Sequence, residues 1–149
     1  VIDLAIATDL CKRFEGFRSR PYLCPAGVPT IGYGSTYYPD GRKVTLTDSA
    51  IEKALAEWML KHELEHTYLP GALRLCPVLS RHPRRLNAIV DFCYNLGVGR
   101  LQTSTLRRRI NAEDWRGAEE ELRKWVRAGG RVLPGLVARR EAEIVFMKG

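Results

Sequence analysis

Apolar residues near the start of the chain recur every three or four positions: Leu4, Ala7, Cys11, Phe14 and Phe17. That spacing predicts a helix from about Asp3 to Phe14, stopped near Gly16. From Ser19 to Asp40 the helical period disappears. Pro21, Pro25, Gly27, Pro29, Gly32, Gly34 and Pro39 break any helix, while Tyr22, Leu23, Val28, Ile31 and Tyr33 suit short strands. The expectation is a small, turn-rich antiparallel sheet. The segment "PDGRKVTLT" (Pro39–Thr47) is expected to add a further turn and a third strand.

Helical periodicity then returns. Ser49 with Glu52 fits a capping box, and Thr47 is the alternative cap. Ile51, Leu55, Trp58, Met59 and His62 form the expected apolar stripe, with Pro70-Gly71 as its end. Ser80 is expected to cap the next helix, whose stripe is Leu86, Ile89, Val90, Cys93 and Leu96 and whose stop is Gly97. Shorter helices are expected from Ser104 to about Asn111, from Asp114 to about Arg127 and from about Leu136 to Met147. Gly129-Gly130 separates the last two. The whole is α+β: one domain over 1–149, with a small sheet-bearing lobe at about 12–60. A larger helical lobe at about 61–149 is joined by the N-terminal helix.

Composition narrows the partners. The chain has 149 residues, 45% of them hydrophobic, enough for a real core and too many for disorder. Its formal net charge is +7, which suits an anionic partner: nucleic acid, a membrane surface or an acidic polymer such as a bacterial wall. No apolar run approaches the ~18–20 residues of a membrane span, and the acidic first ten residues do not read as a signal peptide. The chain begins with Val rather than Met, which raises the expectation of a missing or processed N-terminal piece. Cys11, Cys24, Cys76 and Cys93 match neither a C-x-x-C pair nor a zinc spacing, and read as reduced thiols.

Few residues offer chemistry. Glu15 stands where the first helix gives way to the turn-rich segment, and no other acid follows before Asp40. Between Phe14 and Phe17 its carboxyl could be shielded from water, which keeps a carboxyl protonated as a general acid requires. On position alone it reads equally as a solvated helix-end residue. Thr30 reads as a hydroxyl on a rigid strand or as ordinary strand propensity. Cys24 reads as a functional thiol or as a small half-buried hydrophobe. "TIGYGST" lacks both the G-x-G-x-x-G frame and a P-loop Lys, so it is no phosphate cradle. His62 and His66 stand four apart, but without H-E-x-x-H no metal or cofactor is expected. No G-x-S-x-G turn supports Ser-His-Asp chemistry. Arg107-Arg108-Arg109 and Arg84-Arg85 are expected to be solvated basic clusters.

Together, "FEGFRSRPYLCPAGVPTIGYGST" (Phe14–Thr36) resembles the signature of the phage-type lysozymes, or endolysins, of glycoside hydrolase family 24. That family carries a catalytic Glu, an Asp or Cys nine residues on and a Thr six further; here these are Glu15, Cys24 and Thr30. "AIVDFCYNLGVGRLQTSTLRRRIN" (Ala88–Asn111) resembles the family's central helix, and "PGLVARREAE" (Pro134–Glu143) its C-terminal segment.

The resemblance implies a lysozyme-like fold with a cleft between the lobes. It implies hydrolysis of the β-1,4 bond between N-acetylmuramic acid and N-acetylglucosamine in bacterial peptidoglycan, with inversion. Glu15 would protonate the leaving oxygen, while Cys24 and Thr30 hold the attacking water. A thiol is a weaker acceptor than a carboxylate, so Cys24 stands as a base, a water-positioning group or a dispensable residue. A Cys11–Cys24 disulfide that blocks the site is a further hypothesis. Gly32 and Tyr33 on the sheet side and Asn95 on the central helix are candidate substrate contacts, and Arg139 or Arg140 a candidate partner of Glu15. The resemblance further implies a monomer made in the host cytoplasm and acting on the wall in the periplasm. A holin-type membrane protein would release it, with no nucleic acid and no stable membrane insertion involved. The rival expectations are a catalytically dead wall-binding relative, a basic nucleic-acid-binding helical module, and a chitinase-like or transglycosylase activity on the same scaffold.

Overall fold

A computed structural model describes residues 2–149. The chain runs α1 (Ala5–Glu15), β1 (Arg18–Leu23), β2 (Pro29–Gly32), α2 (Lys53–Glu63), α3 (Leu69–Leu75), α4 (Pro83–Leu96), α5 (Val98–Gln102), α6 (Thr105–Asn111), α7 (Trp115–Leu122), β3 (Arg127–Ala128), β4 (Arg131–Val132) and α8 (Pro134–Met147). The expected α+β arrangement is present.

α4 is the axis of the helical part, with α1 and α8 packed along it. Most of the expected stripe is buried: Leu86, Ile89, Val90 and Cys93 are at most 1% exposed, as is Phe92, while Leu96 is half-buried at its end. Truncating a buried Phe such as Phe92 to Ala costs about 3–5 kcal/mol. Gly97 ends α4 at φ 95, a backbone angle that disfavours side chains. Asn87, not anticipated, stitches α1 to α4. Its Oδ1 accepts from Ala7 N at 2.9 Å, and its Nδ2 donates to Asp3 O and Pro83 O.

β1 and β2 form an antiparallel hairpin with Tyr22 opposite Thr30 and Leu23 opposite Pro29, and an irregularity between Arg18 and Tyr22. The expected third strand reduces to one bridge, Tyr37 to Lys43, around a tight turn. The capping box at Ser49 does not form; Glu52 is the N-cap of α2, without a side-chain bond. The chain ahead of it is committed elsewhere, because Thr45 donates to Asp48 at 2.6 Å and folds 45–48 into its own turn.

Two further expectations fail for a packing reason. The inward face of α2 is Ala56, Met59 and Leu60, while Leu55 and Trp58 are 43% and 52% exposed. Pro70-Gly71 does not end the helix. The backbone widens into one π turn (Leu64–Tyr68), where Leu69 N bonds Leu64 O, and Pro70 falls in the first turn of α3, where no N–H is needed. Gly71 is there for close packing: a Cβ would stand 2.8 Å from Val98 Cγ2.

Ser80 lies in a short 3₁₀ turn, and His82 precedes Pro83 at the start of α4. Ser104 and Asp114 do cap α6 and α7. α5 and the two-residue strands flanking Gly129-Gly130 were not anticipated. α7 stops at Leu122 because that hairpin begins soon after.

Candidate active site

Glu15 is the last residue of α1, and Gly16 turns the chain away at φ 71 and ψ 158, a conformation open essentially to Gly alone. The carboxyl does not sit in an apolar pocket as the flanking Phe residues suggest. Its side chain is 22% exposed, and Oε2 accepts from Arg139 Nη1 at 2.6 Å. Arg139 is itself fixed from below: Nε donates to Asp91 Oδ2 at 3.0 Å and Nη2 to Asp91 Oδ1 at 2.8 Å. Cys11 adds Sγ to Asp91 Oδ1 at 3.2 Å. The guanidinium therefore has two faces committed to a buried carboxylate and one nitrogen left for Glu15.

Electrostatics follow from that packing. Burial alone would push the Asp91 carboxyl up, but the hydrogen bonds and charge of Arg139 outweigh it and hold Asp91 below the usual range. Arg139 is likewise raised, its own burial offset by Asp91 and Glu15. Behind them, Arg140 Nε stands 2.7 Å from Glu143 Oε1, both fully buried. Burial and the neighbouring Asp91 push Glu143 up, against the pull of Arg140. Two guanidiniums face three carboxyls, Glu15, Asp91 and Glu143, across this network, so one retained proton makes it neutral. Arg139 and Arg140, 3% and 0% exposed, are thus no solvated helix face.

On the facing side the chain comes in as bare backbone. Gly34 has φ 88, and a Cβ there would lie 2.8 Å from Glu15 Oε1 and 3.3 Å from the Tyr94 hydroxyl. Tyr94 donates to Tyr33 O at 2.6 Å and so ties this turn to α4. Gly32 and Tyr33, expected to contact substrate, are packed inward. A Cβ on Gly32 would meet Ala56 at 3.1 Å, and the Tyr33 ring lies against Phe17 at 5.6 Å. Asn95 is joined to the other arginine, accepting from Arg140 Nη2 at 2.8 Å.

Cys24 and Thr30 meet at the hairpin. Cys24 opens the loop, with its N–H on Val28 O and its carbonyl accepting from Gly27 N. Thr30 Oγ1 donates to Val28 O at 2.8 Å. Partial burial pushes the Cys24 thiol up, but hydrogen bonding from the backbone at Val28 and Ala26 and from the Thr30 hydroxyl prevails and lowers it.

The other three cysteines are buried, and burial raises each thiol: Cys76 to about 11, Cys93 to about 12 and Cys11 further still. All four are free, and Cys11 turns its thiol to Asp91 rather than to Cys24.

The basic clusters are largely solvated, as expected: Arg84, Arg108 and Arg109 are exposed, while Arg85 and Arg107 are half-buried and hold internal bonds. Arg107 donates to Leu75 O and Gln102 O, Arg109 pairs with Asp114, and Arg85 donates to Met147 O while covering the Trp115 ring. His66 Nδ1 bonds His62 O, and the two rings stack at 4.2 Å.

Glu15 thus stands at a helix end, held by a clamped Arg and facing the Gly34 turn. The profile of the phage lysozyme family matches residues 12–143. The chain belongs to that family. It is 34% identical to an endolysin of Bacillus phage B103 over 142 residues, 95% of this chain and 52% of that one. It is 36% identical to a SAR-endolysin of Bacteriophage PS119 over 131 residues, 87% of this chain and 73% of that one. The solved endolysin from Escherichia coli O157:H7 phage FAHEc1 superposes with a TM-score of 0.83 at 28% identity, covering 98% of this chain and 93% of that chain.

As a phage-type lysozyme the chain is a glycoside hydrolase that degrades peptidoglycan, and the nucleic-acid-binding alternative is not favoured. No helix among the described residues is long and apolar enough to cross a membrane. Asp91 and Gly34 are site residues that sequence reasoning passed over. The signal for Asp91 was an acid inside the apolar stripe "AIVDFC", where an unpaired charge is costly.

Proposed function

We propose that this lysozyme cleaves the β-1,4 bond between N-acetylmuramic acid and N-acetylglucosamine with Glu15 as general acid. Glu15 hands its proton to the leaving glycosidic oxygen. A water held by Cys24 and Thr30 attacks the anomeric carbon from the opposite face and inverts it. The observation that carries this reading is the three-part clamp, Asp91 on Arg139 on Glu15, which aims one carboxyl at the Gly34 turn. Preorganised charge of this kind needs no rearrangement at the moment of reaction.

The lowered Cys24 thiol supports a share of thiolate at the hairpin, a better acceptor for the water's proton than a thiol. Gly32 and Tyr33 shape the wall opposite Glu15 from within, and the free amide nitrogen of Asn95 is assigned to the sugar's N-acetyl or hydroxyl groups. The small lobe at about 12–60 and the helical lobe at about 61–149 supply the two walls. Action as a monomer on the periplasmic face of the host wall, after release through a holin-type membrane protein, belongs to the same reading. NMR of the products at the first turnovers tests it: the anomer opposite to the substrate's supports direct attack by water. Retention or a 1,6-anhydro product contradicts it.

A further inference from the structure

Two residues past Gly34 the chain begins to line a cavity. It holds about 350 Å³ and is lined by Thr36, Tyr37, Tyr38, His62, Glu63 and Tyr68, among others. Its position relative to Glu15 is fixed by contacts. Gly34 packs on the Glu15 carboxylate, Ser35 follows it, and Ser35 Oγ donates to Glu63 Oε2 at 2.6 Å. Tyr68, on the far wall, stacks edge-on to Tyr94 at 5.1 Å, and Tyr94 holds the same turn through Tyr33 O. The cavity thus lies against α2 and the π turn, linked to Glu15 through the 34–36 segment.

Its chemistry is unlike the rest of the molecule. The chain carries a net +7, yet no Lys or Arg lines this cavity, and Glu63 is its one acidic residue. Glu63 forms no ion pair among the described residues, and the Ser35 bond is its sole side-chain hydrogen bond, leaving Oε1 without a protein partner. Three tyrosines line the space, and the Tyr68 hydroxyl makes no hydrogen bond among the described residues. Tyr37, 48% exposed, stands at the opening. A carboxylate oxygen that lacks a partner, enclosed by aromatic rings, is the recognition set for a cation carrying several N–H donors.

We propose that this cavity is a subsite for a primary ammonium group carried on the peptidoglycan strand. The proposal rests on the lysozyme reading and adds a preference to it. Two wall groups carry that chemistry, the free amine of a stem-peptide residue and the amine of a glucosamine that lacks its acetyl group. Burial pushes the empty Glu63 carboxyl up to about 7, with Ser35 pulling it back, because no cation offsets the buried charge. A bound ammonium supplies that offset.

The test compares initial rates of reducing-end release, at equal glycan concentration, on four walls. These are untreated sacculi, sacculi acetylated on every amine, glycan strands stripped of stems by an amidase, and stripped strands then acetylated. Wild type, Glu63→Gln and Tyr37→Ala are assayed, with circular dichroism to check each fold. Wild type is expected to favour untreated over acetylated walls by about tenfold, mainly in KM, as one charge-assisted bond in a shielded site provides. Glu63→Gln is expected to lose that preference, and Tyr37→Ala, at the exposed rim, to reduce it should Glu63→Gln not fold. A preference that vanishes on stripping assigns the stem amine. One that survives stripping and vanishes on acetylation of the strands assigns the sugar amine. Equal wild-type rates on all four walls, or a preference kept in Glu63→Gln, overturn the subsite and leave the lysozyme reading intact. No release from any wall overturns both.

Discussion

Gly34→Ala probes the site without touching any residue assigned to the chemistry. Two costs follow from the structure. At φ 88, a left-handed conformation, an L side chain costs about 1–2 kcal/mol. The new Cβ would also lie 2.8 Å from Glu15 Oε1, against an ordinary contact of 3.4 Å or more, so the carboxylate must retreat by 3.4 − 2.8 = 0.6 Å. It must do so against the 2.6 Å bond from Arg139. A rotated Glu15 adds about 0.5–1.5 kcal/mol of rotamer strain.

The total stability loss is therefore about 1.5–3.5 kcal/mol, which a domain of ordinary stability survives. Activity should suffer more, because misplacing a reacting group by about 1 Å costs about 100-fold. Gly41→Ala is the control: its φ is 91 and a Cβ there meets nothing within 4 Å. The assays are urea unfolding and reducing-end release from purified walls. Gly34→Ala is expected to unfold about 0.5–1.5 kcal/mol below Gly41→Ala, which shares the backbone cost, and to lose at least about 30-fold in rate. Gly41→Ala should keep its rate. A Gly34→Ala enzyme with near wild-type rate would refute the argument that the backbone there is bare to make room for the carboxylate.

Three further predictions concern other parts of the network. Asp91→Ala strands a buried guanidinium on Glu15 alone, so it should destabilise by about 3–5 kcal/mol and lower Tm by about 10 °C in differential scanning calorimetry; a change within a degree or two would contradict the clamp. Glu63 has a folded pKa of about 7, above its ordinary 4.5, so the unfolded chain ionises first as pH rises. Its stability contribution is full below about pH 4.5 and is lost by about pH 7, on the order of 3 kcal/mol. Glu63→Gln should flatten that part of the urea-measured stability profile, and an unchanged slope would count against the burial. Iodoacetamide at neutral pH should label Cys24 alone among the four cysteines and abolish wall hydrolysis, as read by peptide mass mapping; labelling of Cys11, Cys76 or Cys93 in the folded enzyme would contradict their burial.

Much of the frame was legible because it rests on periodicity and punctuation. The stripe Leu86, Ile89, Val90, Cys93 lies in the core, Gly97 ends α4, and Ser104 and Asp114 cap their helices. What failed was set by tertiary packing. Pro70-Gly71 reads as a stop, yet a π turn absorbs the proline, and the glycine serves the contact with Val98. Leu55 and Trp58 read as core, yet α2 is rotated by its need to place Met59 against Ile31 and Val44.

The candidate site was read from the spacing of Glu15, Cys24 and Thr30 through the likeness to the lysozymes. Arg139 or Arg140 was the expected partner of Glu15; Arg139 is that partner, and Arg140 pairs with Glu143 instead. The carboxylate beneath Arg139, Asp91, was not anticipated, since the pairing spans 48 residues and no local pattern encodes it. Glu63 was passed over because a Glu between His62 and Leu64 on an amphipathic helix looks like any surface acid. Only the fold shows it sharing a cavity with three tyrosines.

The most direct test of the account replaces the Glu15 carboxyl by an amide, which keeps the shape and can still accept from Arg139. Wild type and Glu15→Gln are compared for reducing-end release from purified peptidoglycan, with thermal unfolding to show that both are folded. The account predicts a folded Glu15→Gln protein with release reduced by at least about 100-fold, the scale of a lost general acid. Release by folded Glu15→Gln at a rate near that of wild type would contradict it.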